Sequence, residues 1–522
     1  MLVRLGFIPE FTKVLFRKVE TPTISRDPSP QAPNSHSPDI QSSSFTTMRN
    51  EIVDRRVQQE RERFIEAIDL EAICQLASSY HNGEACSIFK EPSHGSYNLC
   101  IYVAFPLSGD RWVVRIPIVP CLASAEGKLE QEVGAMRCVV DRTKIPIPQI
   151  YGYSFKSDNP IGLAFLIIDF VEGITLQDVN IRSLAEEQRN HLYLQLADIL
   201  IQLRRLEFPH IGALLPDPRV ESGWTSKVPR RPLSIESNGQ EVEGIRAFEI
   251  CDNEKVYTSA KDYIRSLIRL AFHQFEEGQN SVENEYDACV VLYNLYQFQD
   301  LVEKWVDQDL DSGPFVLIHG DLRPPNIMLN EKLDIVAVID WEWSRIVPLQ
   351  LFIPPTWFTW QEVGGVCSPL GYLDYVQELD AVRAMLAARE RQYDGRLLLS
   401  KEWSKIHRKG GVLIAAALNN PALIDTVYSG YLDLLYHHSS HIGVRAKEFI
   451  NSSEEYKTLI RRKVRDRISY LEEMRLVNQG SDELHLRRIF TISRCFGRLT
   501  RFWTPTLSQL RYVESNVRIV NI

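Results

Sequence analysis

The stretch His319-Gly320-Asp321-Leu322-Arg323-Pro324-Pro325-Asn326, followed by Ile339-Asp340-Trp341-Glu342-Trp343, decides how this chain is read. Short β-branched and apolar runs bracket it: Phe315 to Ile318 before it, Asn326 to Leu329 on its far side, and Ile335 to Ile339 after it. Each has strand character. Pro324 and Pro325 fix the backbone of the intervening turn, so the side chains of Asp321 and Asn326 converge on one point. Asp340 closes a strand at a hairpin's distance and brings a second hard oxygen to the same place. Phosphoryl transfer from ATP asks for a carboxylate beside the attacking hydroxyl, oxygen ligands for Mg²⁺ and a cation on the phosphates. This run supplies the first two, in a form that octahedral Mg²⁺ accepts.

The same residues resemble the signature of the aminoglycoside phosphotransferase and choline kinase superfamily, close to its large fungal branch. The protein-kinase pattern H-R-D-x-x-x-x-N is a relative, but Gly320 stands where that pattern has Arg, and Asp340-Trp341-Glu342 stands in place of D-F-G. The resemblance covers roughly residues 85 to 440. It implies an α+β, bilobal protein-kinase-like fold with a sheet-rich N-lobe and a mainly helical C-lobe. By the same resemblance Asp321 is the catalytic base, and Asn326 and Asp340 bind Mg²⁺. His319 is read as structural. Arg323 either contacts a phosphate or pairs with a carboxylate.

Upstream, Gly95-Ser96-Tyr97-Asn98 sits where the family places the loop over the nucleotide phosphates, whose backbone amides could approach them. Arg115, in Trp112-Val113-Val114-Arg115-Ile116-Pro117, takes the position of the family's phosphate-binding lysine, and Glu132 matches its helix-borne ion-pair partner. Arginine keeps the charge but offers a planar fork instead of a point. Ile168-Asp169-Phe170-Val171-Glu172-Gly173 resembles the hinge that meets adenine, with Asp169 to Val171 as the edge. Gly127-Lys128 lacks the upstream glycine of a P-loop.

A chain of 522 residues with 44% hydrophobic content exceeds one ordinary domain, so two lobes are expected. Its net charge of -9 argues against a general nucleic-acid binder. Nine scattered cysteines, odd in number and without a C-x-x-C pair, suit a reducing compartment. No apolar run reaches the length that spans a bilayer, so no stable membrane insertion is expected. A cytoplasmic location follows, with mitochondrial import as the alternative reading of the basic-apolar start around Arg4, Lys13, Arg17 and Lys18.

Residues 1–50 are expected to form a disordered extension, Ser/Pro-rich from Thr21 to Ser44, and Met48 could be the start of a shorter product. The N-lobe with a preceding helix spans 51–171, the C-lobe 172–445, and a helical extension 446–522. Helical spacing marks Glu51 to Gln75, Lys128 to Val140, a stripe from Leu192 to Leu206 capped by Ser183 and Glu186, Ser259 to Phe275 and Glu285 to Trp305. Ser96 to Phe105 and Arg111 to Ile118 form a hairpin around Pro106 to Asp110. Leu163 to Phe170 reads as a strand, and residues 216 to 260 as irregular connections. The basic residues Arg461, Arg462, Lys463, Arg465 and Arg467, with Arg487, Arg488, Arg494, Arg498 and Arg501, read as solvated helix faces, with an anionic partner or membrane surface as the alternative. The functional expectation is transfer of the γ-phosphate of ATP to a hydroxyl of a small molecule. The alternative is a nucleotide-binding pseudoenzyme or interaction module.

Overall fold

The computed structural model describes residues 50–496, apart from 221–222, 227–229, 251–255, 360, 362 and 438–440, and side chains as far as 479 except at 182. The N-terminal extension, Met48 and the side chains of Arg487 to Arg501 lie outside the described residues.

Five antiparallel strands, in the order β1-β2-β3-β5-β4, form the first sheet: β1 (Ser87–His94), β2 (Asn98–Ala104), β3 (Arg111–Pro117), β4 (Ile150–Ser154) and β5 (Phe165–Asp169). The β2-β3 hairpin closes where its turn residues predict, with Phe105 N–H donating to the Asp110 carbonyl and Gly109 at φ +82°. β3 is central and covered on both faces. Trp112, Val114 and Ile116 enter one core while Val113 enters the other, which puts Arg115 on the Val113 side. The strand that the resemblance implies before Gly95 is β1, whose bounds Pro92 obscures in sequence and which shifts register twice against β2. An edge strand tolerates both.

Glu51 to Gln75 is two helices, α1 (Glu51–Glu66) and α2 (Leu70–Tyr80). The break falls at Asp69, whose carboxylate accepts from the Glu71 and Ala72 amides and starts the second helix. The helix behind the sheet, α3 (Ala125–Arg142), is buried along most of its length, Lys128, Gln131 and Glu132 included.

Helices dominate the second half. The stripe Leu192, Leu196, Ile199, Leu200 and Leu203 is buried along α4 (Glu186–Arg204). Its start differs from the expected capping box. Ala185 occupies the cap, Gln188 Oε1 accepts from the Ala185 amide, and Ser183 belongs to a preceding turn. Residues 216 to 260 are not wholly irregular: Ser234 caps a helix, Ile235–Glu243, closed by Gly244 at φ +84°. Two three-stranded sheets hold the run from His319 to Asn326. In one, β8 (Phe315–Ile318) lies between β11 (Arg345–Pro348) and β7 (Glu207–Phe208). In the other, β9 (Ile327–Leu329) lies between β10 (Ile335–Val338) and β6 (Ile174–Thr175).

Around these pack α5 (Ala260–Glu277), α6 (Glu285–Trp305), α7 (Pro369–Tyr393), α8 (Gly411–Asn419) and the long α9 (Glu454–Phe496). The basic run on α9 is not all solvated. Lys463 is fully buried, its Nζ on the Gly278 carbonyl at 2.6 Å and on Asp466 at 3.0 Å, and Arg467 bonds the Asn280 side chain. Among the described residues no helix is long and apolar enough to cross a membrane.

Candidate active site

The run from His319 to Asn326 leaves β8 through Gly320, at φ +81°. A Cβ there would lie 2.1 Å from the Trp343 carbonyl oxygen, so close passage of the two backbones leaves room for glycine alone. His319 ties the run to its neighbour. Its Nε2 donates to the Ile339 carbonyl at 3.0 Å, its Nδ1 accepts from the Asp321 amide at 3.3 Å, and its ring packs on Trp341. Burial lowers its pKa, so it is a neutral strut.

Asp321 is mostly shielded. Arg323 reaches it with two donors, Nε at 2.5 Å and Nη2 at 3.0 Å, and Asn326 Nδ2 donates to its Oδ2 at 3.0 Å and its carbonyl at 2.8 Å. Of the two expectations for Arg323, pairing with a carboxylate is the one present in this state. Asn326 spends its amide nitrogen on Asp321, which leaves its amide oxygen for a cation. Asp340 sits at φ +69°, a conformation that non-glycine residues adopt at a cost and that clusters at functional sites.

Behind Asp340 lies a buried charge network. Arg115 Nη2 donates to Asp340 Oδ1 at 2.5 Å and Nη1 to Glu132 Oε1 at 2.5 Å. Lys128, fully buried, pairs with Glu342, donates to Asn98 Oδ1 at 3.0 Å and lies 3.9 Å from Glu132. Asn98 Nδ2 donates to Glu342 at 2.5 Å. Two cations thus face three carboxylates. Burial would push the Asp340 pKa up, but Arg115 and Lys128 overcome it and hold that carboxyl below its ordinary value. Glu342 bears the imbalance: burial, with Asp340 adding to it against the Lys128 charge, pushes it up to about 7. Burial opposes the charge on Arg115, yet Glu132 and Asp340 raise its pKa well above the ordinary value.

The predicted site residues therefore fall into groups. Asp321, Arg323 and Asn326 form one cluster, and Arg115, Glu132 and Asp340 another. Asn98 does not sit on an open phosphate loop; it is buried inside the second cluster, because it begins β2 and faces Glu342. Gly95 and Ser96 are exposed in the tight turn before it, where the Gly95 amide is bonded to the Asn98 carbonyl at 3.0 Å. The Asp169 carboxylate accepts from the Tyr151 hydroxyl at 2.6 Å and the Gln149 amide at 3.1 Å, and its own N–H goes to the Gln149 carbonyl. Those groups of Asp169 hold β5 to β4. Val171 follows in the connection to β6.

Lys128 is the residue the sequence reading missed. The signal was its position one helical turn before Glu132, on the same face of α3. Glu342, whose place in the fold the sequence left open, is its partner.

Asp321 and Arg323 line a cavity of about 310 Å³, together with Arg345, Phe352, Trp357 and Asn419. A separate cavity of about 210 Å³ takes in Glu283, Asp287 and Asp425 and none of the run from His319 to Asn326. Among the described residues no group of three or more His, Cys, Asp and Glu side chains is arranged to hold a metal.

A family model described as the phosphotransferase enzyme family matches residues 89–349, half of the chain. A subtelomeric hrmA-associated cluster protein of Aspergillus fumigatus is 24% identical over 304 residues, 50% of this chain and 58% of that protein. A clavilactone A biosynthesis cluster protein of Ampulloclitocybe clavipes is 24% identical over 244 residues, 45% of this chain and 54% of that protein. The chain thus spans little more than half the length of these curated relatives. Among solved structures, the aminoglycoside phosphotransferase APH(4)-Ia in complex with AMP-PNP and hygromycin B is similar at 14% identity and a TM-score of 0.38, over 72% of this chain and 98% of that one.

Proposed function

The chain belongs to the phosphotransferase enzyme family, and from that premise we propose that it transfers the γ-phosphate of ATP to a hydroxyl group of a small molecule. The observation that carries this reading is the placement of Asp321. Asn326 fixes it from below, and its carboxylate opens onto a cavity large enough for a small acceptor. Asp321 accepts the hydroxyl and orients or deprotonates it as Arg323 yields its place. Asn326 Oδ1 and Asp340 would hold Mg²⁺, which neutralises charge on the transferring phosphoryl group. Arg115 stays anchored on Glu132 and carries its charge to the phosphates. The exposed backbone at Gly95 and Ser96 covers them, and adenine meets the backbone at Val171.

ADP release with Mg·ATP across a panel of hydroxylated metabolites tests this. The wild-type protein turns over at least one acceptor, and Asp321→Ala binds Mg·ATP without doing so. Wild-type-like turnover in Asp321→Ala sinks the mechanism.

One observation favours a second reading, a nucleotide-binding module without chemistry: Arg115 already occupies the Asp340 carboxylate. Binding of Mg·ATP with no ADP release from any acceptor would establish it.

A further inference from the structure

Burying a charge is costly unless it is paired, so a buried cation without a carboxylate demands a reason. Among the described residues five cations are buried: Arg115, Lys128, Arg204, Arg345 and Lys463. Four have carboxylate partners: Glu132 and Asp340 on Arg115, Glu342 on Lys128, Glu402 and Glu207 on Arg204, and Asp466 on Lys463. Arg345, 4% exposed, has none. Among the described residues its Nη1 and Nη2 donate only to the backbone carbonyls of Trp343 at 3.2 Å and Asn419 at 3.3 Å, and its Nε is buried without a hydrogen-bond partner.

Arg345 lines the cavity that Asp321 opens onto. The other charged groups there are Arg323, engaged with Asp321, and Glu236, which accepts from Gln240 at 3.0 Å. Much of the remaining wall is apolar, including Phe352, Ile353, Pro354, Trp357 and Leu423. Asn419 adds a side-chain oxygen that is buried and unbonded. At about 310 Å³ the space is at the low end for small-molecule sites.

Resting on the phosphotransfer reading, we infer that the acceptor is a compact hydroxy acid: its carboxylate pairs with Arg345, its apolar body lies along Phe352 and Trp357, and its hydroxyl meets Asp321. Polyamine sugars and other polycations are the class this cavity rejects, since they would set positive charge against Arg345.

Three probes with one body and three charges test the inference by calorimetry on the full chain: 4-(hydroxymethyl)benzoate, its primary amide, and 4-(hydroxymethyl)benzylamine, each with its cyclohexane counterpart. The acids bind about 10- to 100-fold more tightly than the amides, the amines bind weakest, and Arg345→Gln brings acid and amide to similar affinity. Amides or amines binding as well as the acids overturn the inference, as does failure of every probe to bind. The wild-type series decides this even if Arg345→Gln does not fold. ADP release is followed separately. Acid-selective binding, with no ADP release from these acids or from any acceptor of the metabolite panel, leaves the acid site standing and removes the phosphotransfer reading. Turnover of neutral or cationic alcohols, with no acid binding, does the reverse.

Discussion

Asp321 and Asp340 are both aspartates held by an arginine at 2.5 Å, yet the two pairs are built to opposite ends. Arg323 comes from two residues along the same loop, and half of its side chain is in solvent. Arg115 comes from a strand far away in the chain, is buried, and is locked in turn by Glu132, while Lys128 and Glu342 balance the charge behind it. A pair with its cation half in solvent is worth little, about 1 kcal/mol, so Arg323 can release Asp321 at little cost. Removing one partner of a buried pair costs about 3–5 kcal/mol, because the other charge is left stranded. Identical pair chemistry thus serves as a latch in one place and a keystone in the other, and burial makes the difference.

The largest expected effect falls on the latch side of the comparison, in activity. Asp321→Ala should lower kcat by about 10² to 10⁴-fold while thermal unfolding stays close to wild type. On the keystone side the loss should be in stability. Lys128→Met strands Glu342 beside Asp340 and should cost about 3–5 kcal/mol in denaturant unfolding. A cost below about 1 kcal/mol would show that the cluster is no keystone.

Glu342 gives a third, pH-dependent test. Its folded pKa, about 7, lies above the ordinary 4.5, so the folded state holds the proton more tightly. Its contribution to stability is complete below pH 4.5 and is lost as pH rises through about 7. Asp340, held low, contributes above its ordinary 3.8 and loses that stability as pH falls through its depressed pKa. His319, also lowered, contributes above 6.5 and loses it as pH falls, but it is common to both proteins compared. The stability of wild type minus that of Glu342→Gln should therefore decline from pH 5 to pH 8. A flat difference would place the excess charge elsewhere. Smallest of all, Arg323→Ala should change stability by less than about 1 kcal/mol. A raised KM for ATP in that variant, with acceptor KM unchanged, would make Arg323 a phosphate ligand instead of a latch.

The latch was legible in the sequence and the keystone only in part. His319 to Asn326 and Asp340 announce themselves because the turn, the flanking strands and the side chains are local to one another. β8 and α6 begin and end where their apolar runs do. Arg115 with Glu132 was legible by resemblance, but Lys128, Asn98 and Glu342 meet only after the sheet, α3 and the run from Ile339 to Trp343 pack together. In sequence Lys128 follows a glycine and looks like any surface lysine. The same physics hid Lys463, whose burial depends on α9 lying against the loop after α5. The bounds of β1 and the Ile235–Glu243 helix escaped because an edge strand tolerates a proline and a well-capped helix needs few apolar residues.

The long α9 has a mechanical consequence. Near its start Lys463 is sunk into the C-lobe, and two turns further on its Tyr470 hydroxyl accepts from the Glu51 amide, with Asn478 beyond it receiving Arg55 at 2.6 Å. Glu51 and Arg55 belong to α1, which packs on the turn after β3. The connection from β5 to β6 is therefore not the sole link between the lobes: α9 closes a second, parallel strut, and two struts turn a free hinge into a braced frame. Cutting the strut between Lys463 and Tyr470 should widen the range of lobe angles, read as a larger spread of distances between spin labels on β2 and α7.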